Sequence, residues 1–236
     1  MEQNKIVFFS DLDDTLIFSK RKIDFSKNII TAGYNKQNEA FSYIYKETKI
    51  LLDNLIDSGV IFIPNTARNL NSYKRTIFYK EYNLDYVILN FGGLILFKNK
   101  PLQEWEKIIQ PKLSKIDFYK IIEELSKQFE FEIEIKLIDG YYISVYNRFY
   151  RDDLKKIKDI EKVIQSFGES YNFNFYLNKN SFALYPKFIS KEVATKFLIK
   201  KLNPSLILGA GDSNADKNFL KLAHIKILPF KNSFKI

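Results

Sequence analysis

Residues 5–17 read KIVFFSDLDDTLI, and this stretch decides how the rest of the chain is organised. Ile6, Val7, Phe8 and Phe9 make a short apolar run, partly β-branched, with the composition of a strand buried on both faces. Just past its end stand Asp11, Asp13 and Asp14. Carboxylates crowded at the end of a buried strand repel one another, which costs free energy unless something offsets the charge. A hard divalent cation does so, because oxygen ligands suit Mg²⁺. The plainer alternative is an Asp-rich surface turn.

The same plan, an apolar run delivering polar residues, recurs along the chain. Residues 60–64 end in Asn65-Thr66-Ala67-Arg68, and residues 86–89 are closed by Gly92-Gly93. Residues 206–208 run into Gly209-Ala210-Gly211-Asp212, and 225–228 form a last strand. Between them the spacing predicts helices. Over 38–58, Phe41, Ile44, Tyr45, Thr48, Leu51, Leu52, Leu55 and Ile56 fall at helical intervals before Gly59. Further helices are predicted over 70–82, over 191–202 with Ser190 as N-cap, and over 214–222. Residues 18–37, with Lys20-Arg21-Lys22 and Gly33, show no period and read as a loop. Strands alternating with helices predict a doubly wound, mostly parallel, Rossmann-like α/β sheet, whose site lies at the carboxyl ends of its strands.

In the middle the pattern changes. After a short strand at 94–97 and a helix at 101–113, residues 118–129 read as a helix. Phe131, Ile133, Ile135 and Leu137 then alternate with Glu132, Glu134 and Lys136, the mark of a half-buried antiparallel strand. Asp139-Gly140 is a hairpin turn, and Tyr141, Ile143 and Val145 alternate down the return strand. A helix at 152–167 and strands at 172–178 and 181–185, turning at Lys179-Asn180, repeat the arrangement. Two helix-hairpin units predict a four-stranded antiparallel sheet with helices on one face. The expected division is therefore a discontinuous core, 1–97 with 187–236, and an inserted α+β domain, 98–186.

Composition narrows the chemistry. At 236 residues and 46% hydrophobic, the chain can bury a core and is not disordered. No apolar run approaches the roughly 20 residues that a membrane span needs. No signal-peptide pattern precedes Lys5, so a cytoplasmic location is expected. With no cysteine there is no disulfide, thiolate nucleophile or cysteine zinc site. His224, the sole histidine, makes a Ser-His-Asp triad improbable and reads as a helix-end residue. Chemistry must run on carboxylates, Lys, Arg, hydroxyls and an oxygen-liganded metal. The net charge of +9 suits anionic substrates. Because the basic residues are spread along the whole chain, a nucleic-acid partner is not expected.

Four motifs, each at a strand-to-helix junction, carry a resemblance. They are Asp11-x-Asp13-x-Thr15; Thr66 with Arg68; Lys191 in Ser190-Lys191-Glu192-Val193-Ala194; and Gly211-Asp212-Ser213-Asn214-Ala215-Asp216. In this order they resemble the haloacid dehalogenase (HAD) superfamily, and among its members the sucrose-phosphate phosphatases and Cof-like sugar phosphatases. Ala67 stands where many relatives have Gly, and Asp14 replaces the Gly common in this branch.

The resemblance implies a Mg²⁺-dependent phosphatase acting on a small phosphomonoester, foremost a sugar phosphate. Asp11 would be the nucleophile and Asp13 the general acid and base, with Thr66 and Lys191 completing the catalytic set. Thr66, Arg68 and Lys191 would bind the phosphoryl group. Asp11, Asp212, Asp216 and Asp13, the last through its backbone carbonyl, would serve the metal. A phosphomutase, or a phosphatase of nucleotides or nucleic-acid ends, stays open as an alternative. The insert falls where a C2-type cap, of its B subtype, lies over the site in such proteins. On its polar strand face Lys136 and Tyr142 are candidates for sugar recognition, and a monomer is expected.

Overall fold

The computed structural model of the chain describes residues 5–129, 133–147, 153–178 and 180–229. Phe131, Glu132, Asp152 and Lys179, assigned above to strand, helix and turn, lie outside these residues. The chain divides into two compact units, Met1–Trp105 with Ser190–Ile236, and Glu106–Ile189.

The first unit opens with β1 (Ile6–Ser10), whose Val7, Phe8 and Phe9 are buried. Three strands follow, β2 (Phe18–Ser19), β3 (Ile29–Tyr34) and β4 (Ala40–Tyr45), and then α1 (Lys46–Asp57). The loop expected over 18–37 and the first part of the helix expected over 38–58 are thus corrected to a three-stranded antiparallel sheet, ordered β2-β4-β3. Its turn is stable because Asn35 Oδ1 accepts from the backbone N–H groups of Gln37 and Glu39, both at 2.9 Å, while Asn38 takes φ 62°. Once that turn forms, Ile29 to Tyr34 pair with Ala40 to Tyr45, and residues that fit either period are held extended.

Next come β5 (Ile61–Pro64) and two short helices, α2 (Leu70–Tyr73) and α3 (Ile77–Lys80). The single helix predicted over 70–82 is broken because residue 75 bonds to β3 instead. The Arg75 carbonyl accepts from Tyr34 N at 2.9 Å, Arg75 Nε donates to the Tyr34 carbonyl at 3.2 Å, and Thr76 is extended. The antiparallel trio β6 (Tyr86–Leu89), β7 (Leu94–Phe97) and β8 (Lys100–Pro101) follows, leading to α4 (Gln103–Leu113).

The second unit carries α5 (Phe118–Ser126), β9 (Glu134–Ile138), β10 (Tyr142–Tyr146), α6 (Leu154–Ser170), β11 (Phe173–Asn178) and β12 (Ser181–Pro186). Its strands form the expected four-stranded antiparallel sheet, ordered β11-β12-β10-β9. Asp139 and Gly140 take φ 48° and 78°, the left-handed pair that a tight hairpin requires. Ile143 and Val145 are fully buried in this unit.

Returning to the first unit, α7 (Lys191–Leu202) begins at Ser190, whose Oγ accepts from Val193 N at 3.1 Å. Then come β13 (Leu206–Ala210), α8 (Lys217–Leu220) and β14 (Ile225–Ile227). The central sheet is parallel and ordered β14-β13-β1-β5, with Phe9 opposite Gly209 on one side and Ile63 on the other. β1 is therefore interior, flanked by two parallel strands, as its unbroken apolar run requires. The fold is α/β, a parallel sheet accompanied by antiparallel sheets. Among the described residues no helix is long and apolar enough to cross a membrane.

Candidate active site

The register of the parallel sheet brings the ends of β1, β5 and β13 side by side. Asp11 N donates to the Ala210 carbonyl at 2.9 Å, and Asn65 N donates to the Ser10 carbonyl at 2.7 Å. Asp11, Thr66 and Asp212 thus leave neighbouring strands at one level. Past Asp11 the chain turns tightly, with the Leu12 carbonyl accepting from the N–H groups of Leu16 and Ile17, each at 2.9 Å. Asp14 sits in this turn at φ 63°, a conformation that glycine adopts without strain. Its carboxylate accepts from Lys22 Nζ at 2.5 Å.

Lys191, the first residue of α7, is buried at the centre of the cluster. Its Nζ donates to Asp11 Oδ1 at 2.7 Å and to Asp216 Oδ1 at 2.6 Å. Asp216 Oδ2 accepts in turn from Ser213 N at 2.9 Å, Ser213 Oγ at 2.6 Å and Asp212 N at 3.3 Å. The 211–216 loop winds around this carboxylate, so the helix expected from 214 starts only at Lys217. Thr15 Oγ1 donates to Asp212 Oδ1 at 3.3 Å.

The charges do not balance. Asp11, Asp212 and Asp216 each place one oxygen within 4.8 Å of the other two. Three carboxylates and one ammonium leave an excess of two negative charges when all are ionised. Burial pushes the Asp11 carboxyl well above the usual carboxylate range, and Asp216 and Asp13 add to this against the pull of Lys191. Burial, then Asp216 and Asp14, push Asp212 up to about 6. Lys191 moves the other way from what burial alone dictates, since Asp11 and Asp216 hold it charged. Hard oxygen donors around an excess of two negative charges fit a Mg²⁺ ion.

Arg68 and Asp13 form a second element. Arg68 Nε and Nη2 each donate to one oxygen of Asp13 at 2.6 Å, a two-pronged pair. Asp13 holds the Arg68 guanidinium charged against the effect of burial. Thr66, buried beside it, accepts from Arg68 N at 3.2 Å through Oγ1. The structure therefore gathers Asp11, Asp212, Asp216 and Lys191, and pairs Asp13 with Arg68 next to Thr66. The Asp13 carboxylate is not one of the three that converge. Lys136 and Tyr142 belong to the second unit, on β9 and β10, where Lys136 pairs with Glu134. His224 is structural: its Nδ1 accepts from Ile207 N at 3.0 Å, joining the strand at β13.

Sequence patterning does not flag two further features. Asn65 is fully buried and reaches α7. The turn Asn90-Phe91-Gly92 places three successive residues at positive φ, 51°, 59° and 101°. Its backbone serves the site, because Asn90 N donates to the Arg68 carbonyl at 2.9 Å and Phe91 N to that of Thr66 at 3.3 Å. A Cβ on Gly92 would lie 2.2 Å from the Ser190 carbonyl oxygen, so only glycine lets the turn abut the start of α7. The Gly-Gly pair was the only local signal.

Comparison with known proteins agrees with this geometry. The sequence model of the sucrose-6F-phosphate phosphohydrolase family matches residues 4–228. No curated protein sequence matches the chain. Among solved structures, the Synechocystis sucrose-phosphatase in complex with sucrose and phosphate aligns with a TM-score of 0.65 at 17% identity, covering 96% of this chain and 83% of that one. Trehalose-6-phosphate phosphatase of Aspergillus fumigatus aligns at 0.53 and 13% identity, over 98% and 85%. A haloacid dehalogenase-like hydrolase of B. subtilis aligns at 0.54 and 15% identity, over 93% and 88%. At these identities the structural likenesses establish the fold.

Proposed function

Because the chain belongs to the sucrose-6F-phosphate phosphohydrolase family of HAD-type phosphatases, we propose that it hydrolyses a sugar phosphate through an aspartyl-phosphate formed on Asp11. The observation that carries this reading is the buried Lys191 bridging Asp11 and Asp216 at the end of the central strand.

Asp11 and Asp212 would hold Mg²⁺, with Asp216 ordering them, and bound Mg²⁺ supplies the charge that lets a carboxylate approach a dianionic ester. An oxygen of Asp11 attacks phosphorus, and the bond from phosphorus to the sugar oxygen breaks. Asp13 protonates that leaving oxygen. It then takes a proton from water, whose oxygen attacks phosphorus, returning the Asp11 carboxylate and releasing inorganic phosphate. Both oxygens of Asp13 are engaged by Arg68 in the structure. Asp13 therefore acts once the substrate phosphate, a competing partner for guanidinium, draws Arg68 away. Lys191 and Thr66 offer donors to the phosphoryl oxygens, whose negative charge must be stabilised.

We also assign the unit Glu106–Ile189, inserted in sequence between Arg68 and Lys191, as a C2-type cap, with Lys136 and Tyr142 as sugar-binding groups. A panel of phosphate esters assayed with Mg²⁺ tests the function. Sucrose 6-phosphate or another sugar phosphate should give the highest kcat/KM, well above p-nitrophenyl phosphate. Phosphate release from nucleotides alone would overturn the reading.

The titration of Asp212 gives a second expected outcome. In the metal-free protein its raised pKa means that the folded state keeps a proton which the unfolded chain, with its carboxyl near 3.8, has already released. Its contribution to stability therefore falls as the pH rises from about 4 through about 6. Mg²⁺ binding must displace that proton and any held by Asp11, whose carboxyl is also raised, so affinity should be at least roughly tenfold weaker at pH 5 than at pH 7. Calorimetric titrations at the two pH values check this, and equal affinities would remove Asp212 from the ligand set.

A further inference from the structure

Asn65 stands at the end of β5, one residue before Thr66, and is fully buried. Its Nδ2 donates to Thr195 Oγ1 at 3.0 Å and lies 3.4 Å from the Lys191 carbonyl oxygen. Thr195 Oγ1 passes the interaction on, donating its own proton to the Lys191 carbonyl at 2.7 Å. Thr195 has a single hydroxyl proton, and the Lys191 carbonyl takes it. Its oxygen can then only accept from Asn65, which fixes the amide with its nitrogen toward α7. The result is a two-step chain of hydrogen bonds, wholly buried, from the sheet to the backbone of the one lysine that neutralises Asp11 and Asp216.

This arrangement is poor as a device for stability. Asn65 Oδ1 is buried with no partner among the described residues, and leaving a buried acceptor unpaired costs free energy that water would otherwise have supplied. An apolar side chain of similar size would avoid that cost and still fill the space. What it would lose is the donor that ties the first turn of α7 to the strand bearing Thr66. The start of the same turn is also closely approached by Gly92, where a Cβ would lie 2.2 Å from the Ser190 carbonyl oxygen. We propose that Asn65 and Thr195 are positioning residues, which hold the backbone of Lys191 so that its ammonium stays aimed between Asp11 and Asp216. The inference rests on the functional reading above for its kinetic consequence, and on geometry alone for its structural one.

Asn65→Leu and Thr195→Val remove the chain at either end while keeping the number and branching of the side-chain heavy atoms, and Thr195→Ser keeps the hydroxyl. With p-nitrophenyl phosphate and Mg²⁺, the first two should lower kcat roughly tenfold or more with KM within about twofold, since misplacement by about 1 Å is that costly. The double variant should be no worse than either single one. Thr195→Ser should retain most of the wild-type kcat. Acetic anhydride labelling read by mass spectrometry supplies a measure independent of turnover. Lys191 should be protected in wild type and in Thr195→Ser, and labelled several-fold faster in the other two. If the wild-type protein turns over no phosphate ester, the functional reading fails, and the labelling still decides the positioning claim. Unchanged labelling of Lys191 in folded Asn65→Leu and Thr195→Val overturns it, as does an equal loss in Thr195→Ser.

Discussion

Asp11→Asn should abolish turnover while leaving the protein folded. An amide at this position has no anionic oxygen to attack phosphorus, and losses on the order of 10⁴-fold or more are usual for a removed nucleophile. The fold should survive for a specific reason. Burial and the neighbouring carboxylates already disfavour ionised Asp11, so a neutral side chain of the same shape relieves crowding. Lys191 keeps its second partner, Asp216, at 2.6 Å. The melting temperature should shift by less than about 5 °C, equivalent to roughly 1–2 kcal/mol for a chain of this size. Steady-state assays with p-nitrophenyl phosphate and a thermal melt check both halves. A variant that keeps a tenth of the wild-type activity would sink the assignment of Asp11.

Lys191→Met should have the opposite profile, a large loss of stability that depends on metal. The Lys191 side chain is only 3% exposed, and its removal leaves Asp11 and Asp216 facing each other with no cation between them. Breaking a buried ion pair from one side typically costs about 3–5 kcal/mol, which corresponds here to a fall in melting temperature of roughly 10 °C. Mg²⁺ binds the folded form through the same carboxylates and should restore part of the loss. Scanning calorimetry in EDTA and in excess Mg²⁺ separates the effects. An identical fall in both buffers would mean that lost packing, not uncompensated charge, sets the stability.

The sequence alone determined those features in which neighbours along the chain settle the outcome. The apolar run before Asp11 makes an interior strand wherever it is placed, because no face of it tolerates water. Ser190 caps α7 through Val193, three residues on, and Asp139-Gly140 turns a hairpin by its own backbone preference. The order of the four motifs, three after a strand and one opening a helix, was legible for the same reason, and with it the α/β fold and the phosphatase family.

Tertiary structure decided what depends on partners far apart in the chain. Residues 40–45 satisfy a helical period as well as an extended one, and pairing with residues 29–34 makes them a strand. The helix after Asn69 stops because residue 75 bonds to Tyr34, forty-one positions earlier. Asp13 could face a metal or a cation on sequence grounds, and Arg68, 55 residues away, takes both its oxygens. Asn65 looks like any polar residue after a strand until Thr195, 130 residues on, is brought against it. Hydrogen bonds and charge pairs act over about 3 Å, so which of the many polar groups meet is set by strand order and register, and no local pattern records that.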